Sequence, residues 1–64
     1  MIEGVVKFFN AMKNFGFITG SDGKDYFVHI TGIVGGAPLR EGDKVKFEPT
    51  QGDKGMKADK VEKI

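Results

Sequence analysis

The sequence predicts an all-β domain built as a small, closed, antiparallel barrel of five strands. Ten glycines divide its 64 residues into short segments. No window shows a sustained 3.6-residue apolar period, which argues against helices. Short runs of β-branched and aromatic residues alternate with turn signals at a spacing that is typical of small barrels.

The turn signals divide the chain into five candidate strands. These are residues 2–10, 15–20, 26–30, 44–50 and 56–63. Asp22-Gly23 is a hairpin signal that places the second and third strands side by side. Residues 51–55 indicate another hairpin turn, and the glycine-rich segment 31–42 forms a longer connection. One domain covering residues 1–64 is therefore predicted.

Alternation along the strands predicts the core, because side chains two apart project from the same face. The inward candidates are Val6, Ile18, Val28, Ile33, Val45, Phe47 and Ala58, with Val61 as a further candidate. Strict parity would also turn Phe8 inward. A bulge in the first strand would instead turn Phe8 toward solvent.

Six of the seven aromatic residues lie between positions 8 and 27. Phe15 and Phe17 are two apart, as are Phe27 and His29, so each pair projects from one strand face. Rings at this spacing lie about 7 Å apart, close to the spacing of extended nucleotides. The sequence therefore predicts a surface on which unpaired bases stack.

The charge pattern favours a local attraction to phosphate. The net charge of +1 is too small to indicate a nucleic-acid partner by itself. Lys7 and Lys13 flank the aromatic pairs, and phosphate contact is expected of both. The lysines near the C-terminus are interpreted as solubilising charges on a strand edge.

Other interpretations of the aromatic pairs remain open at this point. In one alternative, Phe15, Phe17 and Phe27 belong to the core, and Ile18, Tyr26 and Val28 are exposed instead. Exposed rings would also suit docking onto a protein, such as an assembly or translation-associated factor. Catalysis is not expected, because no Ser/His/Asp constellation or pair of acids surrounds the single histidine.

Composition limits the remaining classes of site and compartment. The chain has no cysteine and one histidine, so disulfides and thiolate metal sites are impossible, and no metal or cofactor is expected. No stretch approaches the roughly twenty apolar residues of a membrane span, and the N-terminus lacks the pattern of a signal peptide. We expect a soluble, cytoplasmic monomer without a membrane partner or a small-molecule substrate.

Taken together, these segments resemble the cold-shock domain, as found in bacterial cold-shock proteins and Y-box proteins. Residues 6–10 (Val-Lys-Phe-Phe-Asn) are similar to the family's first strand. Residues 13–18 (Lys-Asn-Phe-Gly-Phe-Ile) and 27–29 (Phe-Val-His) are similar to its two ribonucleoprotein motifs. Residues 41–45 and 54–55 also fall where the family has similar segments.

The resemblance implies a five-stranded OB-type barrel that binds single-stranded RNA or DNA with little sequence preference. It also implies a role as an RNA chaperone, which keeps RNA from pairing with itself, and no catalysis. Carried over by position, the contact residues would be Lys7, Phe8, Asn10, Lys13, Phe15, Phe17, Asp25, Phe27 and His29, with Lys54 as a peripheral phosphate contact. Asp25 would either accept a hydrogen bond from a base amino group or simply end the hairpin.

The chain departs from the family's pattern at several positions. Phe8 replaces a common tryptophan, which keeps a stacking ring but removes the indole donor. Asn14 replaces a common glycine and tolerates positive φ. Ile30 and residues 35–38 lack rings often found there, so one or two stacked bases, at about 1–3 kcal/mol each, would be lost. Tyr26 replaces a smaller aliphatic residue and is expected at the rim, with its hydroxyl in water.

Overall fold

Five β-strands make up most of the chain in the computed structural model, which describes residues 1–36, 38–52 and 55–64. The strands are β1 (Ile2–Asn10), β2 (Phe15–Gly20), β3 (Asp25–His29), β4 (Lys44–Gly52) and β5 (Gly55–Lys63). Two short 3₁₀ turns, Ile30–Gly32 and Val34–Gly36, lie between β3 and β4. The predicted all-β class is confirmed. Within the described ranges, no helix has the length and apolar character needed to cross a bilayer.

The strands close into a barrel in the order β1-β2-β3-β5-β4. Antiparallel ladders join β1 to β2, β2 to β3, β1 to β4 and β4 to β5. β3 and β5 run parallel and meet at Phe27 and Lys57. The five-stranded OB-type barrel is confirmed. The parallel pairing of β3 with β5, which closes the barrel, was not indicated by the hairpin signals. The predicted turn at 51–55 includes Asp53 and Lys54, which lie outside the described residues.

Ten buried apolar residues fill the barrel interior in the described part of the chain. They include all eight predicted inward candidates, namely Val6, Ile18, Val28, Ile33, Val45, Phe47, Ala58 and Val61. Tyr26 and Leu39 complete the cluster. Leu39 comes from the irregular connection before β4, where no alternation exists to predict its direction.

The prediction that Tyr26 lies at the rim is wrong. Its side chain is only 2% exposed, and its ring packs edge-to-face on Phe47 with the centroids 4.9 Å apart. The hydroxyl donates a hydrogen bond to Asp22 Oδ2 at 2.5 Å, which lowers the pKa of Asp22 and raises the pKa of Tyr26. Tyr26 lies two residues before the buried Val28, so strand parity places it inside. Its polar tip reaches Asp22 from there, which makes the burial possible.

The Asp-Gly hairpin joins β2 to β3 as predicted. Gly23 has a φ of +81°, which a glycine adopts without strain. Asp22 Oδ1 accepts a hydrogen bond from the Lys24 N–H at 3.1 Å and so tightens the turn. The hairpin fixes the register in which Phe17 lies opposite Phe27.

Candidate nucleic-acid interface

Three phenylalanine side chains meet on the outer surface of β2 and β3. In the ladder, Phe15 pairs with His29 and Phe17 pairs with Phe27. The ring centroids of Phe17 and Phe27 are 5.8 Å apart, and those of Phe15 and Phe27 are 5.7 Å apart. All three residues are half-buried, whereas the residues that alternate with them are buried. The alternative in which these rings form the core is therefore excluded.

A bulge in β1 brings a fourth ring to this surface. The pairing with β2 shifts between Val6 and Phe8, so Lys7 is the extra residue. Beyond it the alternation is reversed, and Phe8 turns outward at 42% exposure while Phe9 packs against the core. The Phe8 and Phe17 ring centroids are 5.5 Å apart. The aromatic face is defined as the rings of Phe8, Phe15, Phe17 and Phe27.

Lys7 and Asp25 belong to a polar network that spans three strands. Lys7 Nζ on β1 lies 3.3 Å from Asp25 Oδ2 on β3. Thr19 Oγ1 on β2 donates to Asp25 Oδ1 at 3.1 Å. Asp25 also lines a groove with Phe17 and Phe27, so its carboxylate holds Lys7 next to the aromatic face. Because both partners are exposed, the ion pair contributes at most about 1 kcal/mol and leaves Lys7 available to a phosphate.

Asn10 holds the turn between β1 and β2. Its Oδ1 accepts hydrogen bonds from the Met12 N–H at 3.0 Å and the Lys13 N–H at 3.2 Å. Asn14 has a φ of +61°, which confirms the expected positive φ, and its carbonyl accepts a hydrogen bond from the Ile30 N–H at 2.8 Å. These bonds fix the backbone from which the exposed Lys13 projects. The structure thus gives Asn10 a positioning role toward Lys13.

His29 ends β3 opposite Phe15 and is exposed. Its Nδ1 accepts a hydrogen bond from the Thr31 N–H at 3.2 Å and lies 3.0 Å from Thr31 Oγ1. Nδ1 accepts this bond only when it carries no proton, so the neutral ring has its hydrogen on Nε2. Nε2–H is therefore directed away from this contact and is available as a donor to a base or a phosphate.

Two residues of β5 border the aromatic face and were missed in the sequence. Met56 and Lys57 line a groove of about 650 Å³ together with Phe17 and Phe27. The groove exists because β5 closes the barrel beside β3, with Lys57 paired to Phe27. A parallel pairing between distant strands leaves no local pattern in the sequence. Lys54, the predicted peripheral phosphate contact, lies outside the described residues.

Among the described residues, Ile30 and the polar groups add neither a further ring to the aromatic face nor a metal-binding cluster. Ile30 is half-buried and packs against the core, so it adds no ring to the aromatic face. In the described ranges, no group of three or more His, Asp or Glu side chains is placed to hold a metal ion. Every buried side-chain nitrogen or oxygen in the same ranges has a hydrogen-bond partner. The groups available to a ligand are therefore at the surface.

Sequence comparison assigns this barrel to a family. Residues 2–64 match the family described as 'Cold-shock' DNA-binding domain. The chain belongs to this family. This cold-shock domain is 52% identical to Cold shock protein 2 of Lactiplantibacillus plantarum over 97% of each chain. It is 48% identical to the major cold shock protein CspA of Pseudomonas aeruginosa over 97% of this chain and 93% of that protein. It is also 48% identical to Cold shock protein CspC of Bacillus subtilis over 98% of each chain.

Members of this family bind nucleic acids and are not enzymes, so nucleic-acid binding is the class of activity of this cold-shock domain. It also favours nucleic acid over the alternative of a protein-docking barrel. Seven of the predicted contact residues lie on or beside the aromatic face, namely Lys7, Phe8, Phe15, Phe17, Asp25, Phe27 and His29. Asn10 and Lys13 occupy the turn between β1 and β2.

Proposed function

We propose that this cold-shock domain binds single-stranded RNA and DNA with little sequence preference, by stacking unpaired bases on the aromatic face. The observation that carries the proposal is an unbroken row of rings. Along this row, Phe8, Phe17, Phe27 and Phe15 follow one another with centroid separations of 5.5, 5.8 and 5.7 Å. Every nucleobase has a π-face, so stacking depends little on which base is present.

The aromatic face suits single strands because the bases of a duplex are already paired and stacked on one another. Each unpaired base that stacks on a ring contributes about 1–3 kcal/mol. Lys7 and Lys13 contact the backbone phosphates, which adds affinity that depends on salt and carries no sequence information. Asp25 holds Lys7 in place and has lone pairs left for a base amino group.

Binding of this kind gives the domain the role of an RNA chaperone. A protein that binds only the unpaired strand shifts the pairing equilibrium toward that strand by mass action. A single copy carries the whole aromatic face, so we assign the activity to a monomer. We place this activity in the cytoplasm and expect it to need no cofactor. An RNA hairpin is expected to melt at a lower temperature when the protein is present.

Fluorescence anisotropy with a labelled oligothymidine or an unstructured RNA tests the proposal. Saturable binding that weakens with salt is expected for the single strand, and no comparable binding for the matched duplex. Phe17→Ala and Phe27→Ala are each expected to weaken binding by about 1–3 kcal/mol. Val34→Ala removes an exposed apolar side chain outside the aromatic face and serves as the control. Unchanged affinity in both phenylalanine variants would refute the stacking mechanism.

A further inference from the structure

β5 forms a second wall beside the aromatic face. Met56 lines the groove of about 650 Å³ whose other wall is formed by Phe17 and Phe27. Its side chain is 38% exposed although it is large and apolar. Gly52 and Gly55 also line this groove and have no side chains to narrow it. The groove is therefore a continuation of the aromatic face, with an apolar side chain across from the rings.

A smaller recess of about 150 Å³ lies next to this groove and includes His29 and Thr31 among its lining residues. Phe27 and Lys57 line both spaces. Because these two residues pair across the ladder between β3 and β5, they form the divide between the groove and the recess. A strand with one base in each space would carry its linking phosphate over this divide, next to Lys57.

We propose that Met56 and Lys57 complete a nucleotide subsite with the aromatic face. The Met56 thioether packs on the base that stacks on Phe17 or Phe27. The Lys57 ammonium binds the phosphate that links this nucleotide to the next one, whose base lies at His29. The inference rests on the proposed function and deepens it, because one base is held between two surfaces.

Methionine suits this position chemically. Its side chain is flexible and polarizable, so it adapts to bases of different size and makes favourable sulfur–aromatic contacts. A second wall of this kind adds affinity while it preserves tolerance for sequence. The lysine adds a phosphate contact along the β5 border of the aromatic face, in addition to Lys7 and Lys13.

The affinity effects follow from these contacts. Met56→Ala is expected to raise the Kd for an oligothymidine about 2- to 10-fold, the range of a sulfur–aromatic contact. Lys57→Gln is expected to reduce the slope of log affinity against log salt by about 0.7, as for one phosphate contact on a single strand. Lys44→Gln is the matched control, because Lys44 is exposed on a separate groove with Glu3 and Ile64.

An NMR titration of methyl-labelled methionine tests the Met56 contact in the unmodified protein. The chain has three methionines, so Met1 and Met12 report in the same spectra. At saturation with an oligothymidine heptamer, ring current from the stacked base is expected to move the Met56 methyl resonance upfield, while that of Met1 stays in place. A Met56 methyl resonance that does not move while the aromatic face binds would overturn the inference.

Phe17→Ala separates failure of this inference from failure of the proposed function. If Phe17→Ala weakens binding while Met56→Ala and Lys57→Gln do not, the subsite is wrong and the stacking function stands. If the wild type does not bind the single strand, both are wrong. The effect of Met56→Ala is expected to be non-additive with that of Phe17→Ala or that of Phe27→Ala in double-mutant cycles, because Met56 and one of these two rings contact the same base.

Discussion

Lys60 carries backbone strain in an otherwise regular strand. Its φ is +51°, in the left-handed region that favours glycine. The pairing of β4 and β5 shifts at this point, so that Lys60 and Val61 together oppose Phe47. This is a bulge whose first residue is left-handed, a position where glycine is usual. The Lys60 Nζ lies 3.5 Å from Glu48 Oε2, an exposed ion pair that contributes little.

Comparison of Lys60→Gly with Lys60→Ala tests this strain. Both variants lose the ion pair with Glu48, but only alanine keeps the Cβ that disfavours positive φ. The glycine variant is therefore expected to be more stable than the alanine variant by about 0.5–1 kcal/mol in chemical denaturation. In an ordinary strand interior, alanine is more stabilising than glycine. A Lys60→Ala variant that is more stable than Lys60→Gly would therefore contradict the assigned bulge.

The hydrogen bond between Tyr26 and Asp22 makes stability depend on pH in two directions. It lowers the pKa of Asp22 below its ordinary 3.8, so the stability from Asp22 is present above about pH 4 and is lost as the pH falls through the folded-state pKa. It raises the pKa of Tyr26 above its ordinary 10.0. The stability from Tyr26 is therefore present below about pH 10 and is lost as the pH rises through the folded-state pKa.

Tyr26→Phe removes the donor and is expected to raise the pKa of Asp22 toward 3.8 in an NMR titration of the carboxyl groups. The acid and alkaline losses of stability should both become smaller. Asp43 is the internal control, because its lowered pKa comes mainly from a hydrogen bond with the Arg40 N–H. An Asp22 pKa that is the same in the variant and the wild type would show that the tyrosine is not its cause.

At the scale of the strands, the bulge in β1 depends on a glycine in β2. A Cβ built on Gly16 would clash with the carbonyl oxygen of Phe8 and would lie 2.7 Å from the Cα of Phe9. Both are backbone atoms, which cannot move aside cheaply. Gly16 therefore lets β1 approach β2 closely where the bulge turns Phe8 toward Phe17.

Gly16→Ala is expected to destabilise the barrel by about 1–3 kcal/mol or more, as measured by thermal or urea unfolding. Any folded fraction should also lose the contact of Phe8 with Phe17 and bind oligonucleotide less tightly. Gly32→Ala is the milder comparison and is expected to cost less, because its nearest neighbour would be the Ala58 carbonyl oxygen at 3.2 Å, a tight contact that a shift of a few tenths of an ångström relieves. Equal stability of the two variants would mean that the close approach is not required.

The strands and the faces to which their side chains point were predictable because the signals are local. Alternation and the Asp-Gly turn were enough to place the aromatic runs of β2 and β3 side by side, and the structure adds the register that pairs Phe17 with Phe27. The prediction for Tyr26 failed because the polar hydroxyl was given more weight than parity with Val28. Met56 and Lys57 could not be placed, since their position depends on closure of the barrel between strands that are distant in sequence.

At the scale of the whole molecule, charges are balanced away from the aromatic face. The net charge is +1. Ion pairs at the surface join neighbouring elements at Lys46–Glu62, Lys60–Glu48 and Lys63–Asp43. Long-range attraction of a nucleic acid is therefore weak, and affinity must come mainly from short-range stacking. Binding is accordingly expected to depend more on the rings than on any single lysine.

The most direct test of this account is an NMR titration of the isotope-labelled protein with a single-stranded heptamer and with its matched duplex. The single strand is predicted to shift the ring resonances of Phe15, Phe17 and Phe27 and the amides of residues 7–17 and 27–29, whereas the duplex leaves them in place. Ring resonances that stay fixed while the single strand binds elsewhere, or that shift equally with the duplex, would contradict it.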